Sequence, residues 1–260
     1  MRSLRPSRGS VPGVRDFLSL LSFLTIIPTG HHDIEAAARA FPYVPLAGLV
    51  AGLVAAAPAL LGGFFGGILS ALAALLVTGL IHADGLFDYA DVIGSGLRGE
   101  GAVRVLKDPH IGGKGAAFGV LTLMASFSAV IALTLDGLGF PAAVGSAVAS
   151  YEAMYVVASF GRPAPYGGLG SLFIRLGGGR WFLNSATSLA SLSLVVLVGG
   201  PVLAIASFSA AVLAAAVIAG DAVRRLGFVS GDVMGFALEV CRAVSLLVIL
   251  GCAESCSLIA

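Results

Sequence analysis

Long apolar stretches alternate with short polar segments along most of this chain. The apolar stretches hold few charged residues and are bounded by glycine, proline or charged side chains. A helix needs about 20 mostly apolar residues to cross the hydrocarbon core of a bilayer. Spanning helices are expected at roughly 44–61, 64–81, 116–135, up to 160, 185–198, up to 218, and from 233 onwards. The pattern therefore predicts an all-α, polytopic transmembrane bundle of about six to seven spanning helices.

The N-terminal segment, residues 1–43, precedes the first of these spans. Within it, residues 15–27 are apolar but too short to cross a membrane. We expect a short helix here that lies at the membrane interface or is half inserted. No linker marks a second domain, so residues 1–260 are interpreted as a single integral-membrane domain.

Composition supports a membrane protein. Hydrophobic residues make up 58% of the chain and charged residues only 11%, whereas soluble domains carry about 25% charged residues. This excludes an ordinary soluble domain and makes the lipid bilayer the expected partner. The net charge of +1 gives no basic excess, and we expect no nucleic-acid partner.

Three polar islands, which we expect to be loops, interrupt the apolar stretches at residues 82–115, 161–184 and 220–232. All three islands and the N-terminal segment contain Arg or Lys, whereas the turns near 62, 136 and 200 contain neither. Cytoplasmic loops of membrane proteins are enriched in these residues. We therefore predict a multi-pass protein of the cell (cytoplasmic) membrane, with the three islands and the N-terminus in the cytoplasm.

The first island begins with three aspartates, Asp84, Asp88 and Asp91. If this segment is helical, the spacing i, i+4, i+7 places the three carboxylates within a sector of roughly 60°. A bound cation would remove their mutual repulsion, and hard oxygen ligands suit Mg²⁺ or Mn²⁺. The alternative is a solvated acidic helix end.

The end of the same island combines basic residues with glycines. Charged side chains and exposed backbone N–H groups just before a helix form an anion site. Carboxylates and a phosphate site together point to metal-assisted chemistry on a phosphate ester or anhydride. The candidate residues here are Arg104, Lys107, Asp108, His110 and Lys114.

A further acidic pair, Asp232 and Glu239, follows the third island. Asp232 has an alternative role as the N-cap of the last helix. Glu239 lies near Arg242 in an apolar stretch, so the alternative there is an ion pair within the helix.

These residues carry a resemblance to a known family. The run from His82 to Asp91 resembles the H-x-D-G-x-x-D-x-x-D signature of cobalamin synthase, the adenosylcobinamide-GDP ribazoletransferase family. Four other elements resemble the family pattern in the same order: Phe23-Leu24-Thr25 with Pro28, Lys107-Asp108-Pro109-His110-Ile111-Gly112, Gly167-Gly168-Leu169-Gly170, and Gly231-Asp232-Val233-Met234-Gly235 with Glu239. Pro109 stands where the family usually has Ser, and Tyr151-Glu152 where an Arg is expected.

The resemblance implies that the protein joins adenosylcobinamide-GDP to α-ribazole, or to its 5′-phosphate, and releases GMP. It implies Mg²⁺, or Mn²⁺, held by Asp84, Asp88 and Asp91, with Asp108 as a further catalytic residue. Arg104, Lys107 and Lys114 would bind substrate phosphates. Four further residues would support these groups or contact substrate: His82, His110, Asp232 and Glu239. The protein could also form a homo-oligomer. The sequence does not decide which residue is the general base for the ribazole hydroxyl, and the candidates are Asp91, Asp108 and His82.

Two other functions compete with this interpretation. CDP-alcohol phosphotransferases also use a D-G…D…D metal signature, but Asp88-Tyr89 occupies the place of their Ala-Arg pair. A cation-coupled transporter would need interrupted helices and charges near the bilayer midplane. The acids of this chain instead cluster beside basic residues at the predicted cytoplasmic face, which favours a phosphate site. Metal-dependent release of GMP separates the enzyme from a transporter.

Overall fold

Residues 11–257, the part of the chain that the computed structural model describes, form twelve α-helices with two short 3-10 turns at Phe41–Tyr43 and Ala57–Leu61. The helices are α1 (Val14–Leu24), α2 (Ile34–Arg39), α3 (Val44–Ala56), α4 (Gly63–Leu76), α5 (Ile81–Ser95), α6 (Glu100–Leu106), α7 (Gly113–Leu135), α8 (Gly139–Phe160), α9 (Leu169–Leu176), α10 (Trp181–Gly199), α11 (Pro201–Leu226) and α12 (Gly231–Ser257). The predicted all-α fold is confirmed. The basic residues Arg2, Arg5 and Arg8 lie outside the described residues.

Six stretches of the described chain are long and apolar enough to cross a membrane. They are Phe41–Leu61, which includes α3, then α7, α8, α10, α11 and most of α12. Helix α8 is the centre of the bundle, because almost its whole length is buried against α3, α11 and α12. Small residues allow this close packing: a Cβ atom on Gly48 of α3 would lie only 2.7 Å from the Cβ atom of Tyr151.

The second predicted span, 64–81, is not one continuous helix. Helix α4 ends at Leu76, α5 begins at Ile81, and the two are bent by 82° relative to each other. Gly79 and Leu80 break the helix with φ angles of 61° and 62°, and Leu80 is the only non-glycine residue among 11–257 with a positive φ. Hydropathy did not reveal the break, because these residues are as apolar as their neighbours. Helix α5 therefore leaves the direction of α4.

The polar islands are largely helical rather than loops. The first island contains α5 and α6, and α11 continues through Leu226 into the segment expected to be the third island's loop. Arg224 and Arg225 fit this last turn because cations are favourable at a helix C-terminus. Gly227 then ends the helix with φ 81°. The polar pattern therefore predicted the positions of the islands along the chain but not the ends of the helices.

The three islands contact one another. The backbone N–H of Gly99 donates to the carbonyl of Arg225 at 2.7 Å, joining the first island to the third. The N–H of Val229 donates to the carbonyl of Arg162 at 2.9 Å, joining the third to the second. The three islands therefore lie together in the fold, and their side of the membrane stays a prediction.

Candidate active site

The candidate site is built where α5 crosses α12. The two helices approach so closely that a Cβ atom on Gly85 would lie 2.6 Å from the carbonyl oxygen of Asp232. On the facing helix, a Cβ atom on Gly235 would lie 3.0 Å from the carbonyl oxygen of His82. Glycine at both positions lets the backbones meet. The crossing brings the aspartates of the first and third islands to one place.

A cavity of about 470 Å³ opens at this crossing. Asp84 from α5 and Asp232 from α12 both line it, together with His82. The glycine turn before α9 forms another wall, where Gly167 and Gly168 have φ angles of 80° and 96° that favour glycine. The remaining lining is largely apolar and aromatic, and it includes Phe23, Phe41, Met154, Leu169 and Phe173.

Asp88 lies on α5 between Asp84, which lines this cavity, and Asp91. It lies one turn along α5, and its charge interacts with those of Asp84, Asp91 and Asp232. The helical spacing predicted for these aspartates is confirmed, because all three lie on α5. Within residues 11–257, no Lys or Arg forms an ion pair with any of these four carboxylates.

The donors fit a hard divalent cation in their chemistry, because each is a carboxylate that pairs with no Lys or Arg of the described residues. The described residues do not, however, gather three His, Cys, Asp or Glu groups tightly enough to hold a metal ion. The metal ligands therefore stay a prediction.

Asp91 faces the start of α7. Its carboxylate accepts the backbone N–H of Gly112 and, at 2.7 Å, that of Gly115. A negative charge is favourable at a helix N-terminus, where such N–H groups lack partners within the helix. Two bonds leave part of the carboxylate's acceptor capacity free.

A second cavity of about 330 Å³ lies beside Asp91. Asp108, His110 and Lys114 line it. Asp108 accepts the backbone N–H of His110 at 3.0 Å and contacts its ring Nδ1 at 2.9 Å, and these hydrogen bonds lower the pKa of Asp108. Lys114 donates to the carbonyl oxygen of Gly94 at 2.7 Å. The second cavity is therefore separate from the 470 Å³ cavity, although Asp91, which lines the second cavity, lies on the same helix as Asp84.

The three basic residues predicted to bind phosphate do not share one cavity. The ammonium group of Lys107 lies 3.4 Å from the centre of the Tyr166 ring, and Tyr166 lines the 470 Å³ cavity. Lys114 lines the second cavity, and Arg104 lines a third, more open one of about 570 Å³. Of the three residues predicted to bind phosphate, Lys107 is therefore the one that lies at the edge of the 470 Å³ cavity.

The alternative roles of the last acidic pair are decided by the structure. Ser230 is the N-cap of α12, since its hydroxyl oxygen accepts the N–H of Val233 at 3.4 Å, so the N-cap alternative for Asp232 is wrong. The carboxylate of Asp232 instead accepts the Ser230 hydroxyl at 3.1 Å and lines the cavity.

Glu239 lies deeper in the bundle and pairs with Arg242 at 3.1 Å. The alternative of a helical ion pair is therefore confirmed for Glu239, which does not line the cavity. His82 is buried, and its Nε2 has no hydrogen-bond partner among the described residues. Its ring instead lies edge-on to that of Tyr151, with centroids 6.4 Å apart.

Sequence reasoning did not single out Tyr166 or Phe173, and it named Phe23 only as part of a family motif. Tyr166 lies one residue before the glycine turn, and burial together with the charge of Asp232 raises its pKa. Its place next to Gly167 was the one available signal. Phe173 gave no such signal, because Phe residues are common throughout this apolar chain.

Comparisons with known proteins agree with the motifs. The family model described as cobalamin-5-phosphate synthase matches residues 16–250. A protein of Pyrobaculum calidifontis named adenosylcobinamide-GDP ribazoletransferase is 36% identical over 225 residues, which cover 86% of this chain and 94% of that protein. One of the same name from Deinococcus radiodurans is 35% identical over 234 residues, covering 87% of this chain and 82% of that protein. No solved structure matches. The chain therefore belongs to the cobalamin-5-phosphate synthase family and is a membrane-embedded transferase of cobalamin biosynthesis.

Proposed function

We propose that this protein transfers the cobinamide-phosphate group of adenosylcobinamide-GDP to α-ribazole, or to its 5′-phosphate, and releases GMP. One observation supports this most directly. Asp84 and Asp232, from helices far apart in the sequence, line the same cavity as the glycine turn and lie beside Asp88. The names of the relatives add the substrate class.

The proposed reaction is a displacement at phosphorus. A secondary ribose hydroxyl oxygen, which α-ribazole and its 5′-phosphate both carry, forms a bond to the phosphorus atom next to cobinamide, and the bond from that phosphorus to the bridging oxygen breaks. The electron pair leaves with GMP. The hydroxyl proton passes to a base, for which Asp91, Asp108 and His82 are the proposed residues, and of these only His82 lines the cavity.

The main task of the site is to manage negative charge. Mg²⁺, or Mn²⁺, would neutralise the diphosphate and help GMP to leave when it is bound. Asp84, Asp88 and Asp91 would hold it, and we propose Asp232 as a further ligand because it lines the same cavity as Asp84. Lys107 would bind a phosphate oxygen from the edge of the cavity, while Arg104 and Lys114 would attract the nucleotide from the outer surface.

We also propose that this face of the bundle lies in the cytoplasm and that the membrane is the cell membrane. The asymmetric distribution of Arg and Lys supports the orientation. GMP and the charged nucleotide substrate are water-soluble, so a site that opens to the cytoplasm suits their exchange.

The test is GMP release by purified protein in nanodiscs with adenosylcobinamide-GDP and α-ribazole. We expect release that depends on Mg²⁺ and stops on chelation. Asp84→Asn and Asp88→Asn should each lower kcat/KM by about a hundredfold or more, because a carboxylate ligand is lost. Asp136→Asn, a change at an exposed turn after α7, is the matched control and should leave the rate unchanged.

Absence of GMP release from folded, Mg²⁺-supplied protein would refute the proposed reaction. Assays of CDP-alcohol transfer and of cation-coupled transport would then follow. Release that survives both aspartate changes would keep the reaction and refute the ligand assignment.

A further inference from the structure

We propose that the 470 Å³ cavity is the binding site for α-ribazole, with the nucleoside's benzimidazole base against the aromatic wall and its ribose towards Asp84 and Asp232. This inference rests on the proposed function and deepens it. It assigns one of the two substrates to a defined place and leaves the other outside.

The aromatic wall provides a surface for a flat ring. Phe23 of α1 and Phe173 of α9 stack with ring centroids 4.9 Å apart, and Phe41 meets Phe173 edge-on at 5.3 Å. All three residues line the cavity, and Phe23 is the one of them that is only partly buried. Aromatic rings gain from offset stacking and edge contacts beyond the area that they bury. An aromatic base fits this wall better than a saturated or charged group.

The polar groups of the cavity come from different elements. Asp84 belongs to α5, and Ser230 and Asp232 lie at the start of α12, whereas the aromatic rings come from α1, α9 and the turn before α3. A ligand held here therefore needs an apolar aromatic end and a hydroxylated end. A nucleoside with an apolar base has this form, and its ribose hydroxyls are donors for the carboxylates.

Size separates the two substrates. Sites for drug-sized ligands enclose about 300–1,000 Å³, and the cavity of about 470 Å³ lies within this range. A nucleoside such as α-ribazole fits such a volume. A corrin ring with its amide side chains and adenosyl group has several times as many atoms, so the corrinoid must remain outside this cavity.

Polarity separates the two bases. The guanine of adenosylcobinamide-GDP carries an amine, a ring N–H and a carbonyl, each costly to bury without a partner. The side chains of Phe23, Phe41 and Phe173 offer no such partner. The methylated benzimidazole of α-ribazole has no hydrogen-bond donor on its ring system. Its burial against the aromatic wall therefore costs little free energy.

The test compares Phe23→Leu with Phe17→Leu. Both residues lie on α1 and are partly buried, but Phe23 lines the cavity and Phe17 does not. Rates of GMP release are measured against each substrate with the other saturating. Since stacking of a base on an aromatic side chain is worth about 1–3 kcal/mol, Phe23→Leu should raise the KM for α-ribazole about tenfold. The KM for adenosylcobinamide-GDP should not change, and Phe17→Leu should change neither.

Three outcomes would overturn the inference: no change in either KM, a rise confined to adenosylcobinamide-GDP, or an equal effect of Phe17→Leu. The middle outcome would place guanine on the aromatic wall. If Phe23→Leu does not fold, inhibition of the wild type replaces it. Free 5,6-dimethylbenzimidazole should then compete with α-ribazole and not with adenosylcobinamide-GDP, and the reverse pattern would refute the site.

Failure of the proposed function gives a different result. In that case the wild type releases no GMP, and equilibrium dialysis of labelled α-ribazole still tests the cavity. Binding that Phe23→Leu weakens about tenfold and Phe17→Leu does not would support the site without the reaction. No binding to the wild type would refute it.

Discussion

Two glycines determine how closely the aspartates of α5 and α12 approach. The atoms that a Cβ on Gly85 would meet belong to the backbone of Asp232, and those that a Cβ on Gly235 would meet belong to the backbone of His82 and Gly85. A backbone in a packed helix cannot turn aside as a flexible side chain can. Even one methyl group here must therefore move a whole helix, and with it the spacing of Asp84 and Asp232.

We expect Gly85→Ala to lower kcat/KM at least tenfold. Overpacking of this kind costs about 1–3 kcal/mol, and the separation of the helices would misplace both carboxylates. GMP release and the thermal unfolding midpoint in detergent measure the two effects.

Gly251→Ala is the matched control. Gly251 lies inside α12, and a Cβ atom added to it would have nothing within 4 Å, while alanine is the better helix former by about 1 kcal/mol. This variant should keep full activity and unfold no earlier. Equal activity of Gly85→Ala and wild type would show that the close crossing is not needed.

The break between α4 and α5 is supported by a buried ion pair on another helix. Arg242 of α12 donates towards the carbonyl of Ala74 in the last turn of α4 at 3.5 Å, and Glu239 balances its charge at 3.1 Å. The backbone N–H of Ile26 donates to the carbonyl of Val77 at 2.8 Å. Carbonyl groups freed at a broken helix in a membrane protein need such partners. The pair therefore helps to hold α5 in its bent position.

Arg242→Met should destabilise the protein by about 3–5 kcal/mol, because it leaves the Glu239 carboxylate buried without a partner. The double variant Arg242→Met with Glu239→Gln should recover part of the loss. Thermal unfolding in detergent measures both.

Arg39→Met is the comparison at the surface. The pair of Arg39 with Asp16 is partly exposed, with 40% of the arginine side chain accessible, and such pairs are worth about 0–1 kcal/mol. A loss at Arg242 no larger than that at Arg39 would contradict a supporting role for the buried pair.

At the scale of the whole molecule, backbone hydrogen bonds join the three polar islands to one another. The Arg and Lys residues of these islands predict, through the positive-inside rule, that the islands face the cytoplasm. The orientation is testable without measuring activity.

Cysteine labelling in intact cells gives this test. The natural residues Cys241, Cys252 and Cys256 are first replaced by Ala. A membrane-impermeant maleimide added from outside should then label Asp136→Cys, in the exposed turn after α7, and not Leu97→Cys, in the exposed first island. Both should react after the cells are lysed. Labelling of Leu97→Cys alone in intact cells would reverse the proposed orientation.

The sequence alone determined the class of fold, most of the spans, the shared face of the polar islands and the aspartate motif. These features depend on local composition and short-range spacing: a bilayer requires long apolar helices, and the period of a helix places Asp84, Asp88 and Asp91 on one face. The family resemblance rested on the same motifs, and the comparisons confirmed it.

Only the tertiary structure decided the rest. The 82° bend after α4 and the aromatic wall depend on contacts between residues distant in the chain. So do the shared cavity of Asp84 and Asp232 and the separation of Arg104, Lys107 and Lys114 from one another. Apolar residues look alike to a hydropathy pattern, whether they face lipid, another helix or a cavity. Packing distinguishes them, because it decides which side chains meet and which leave room for a ligand.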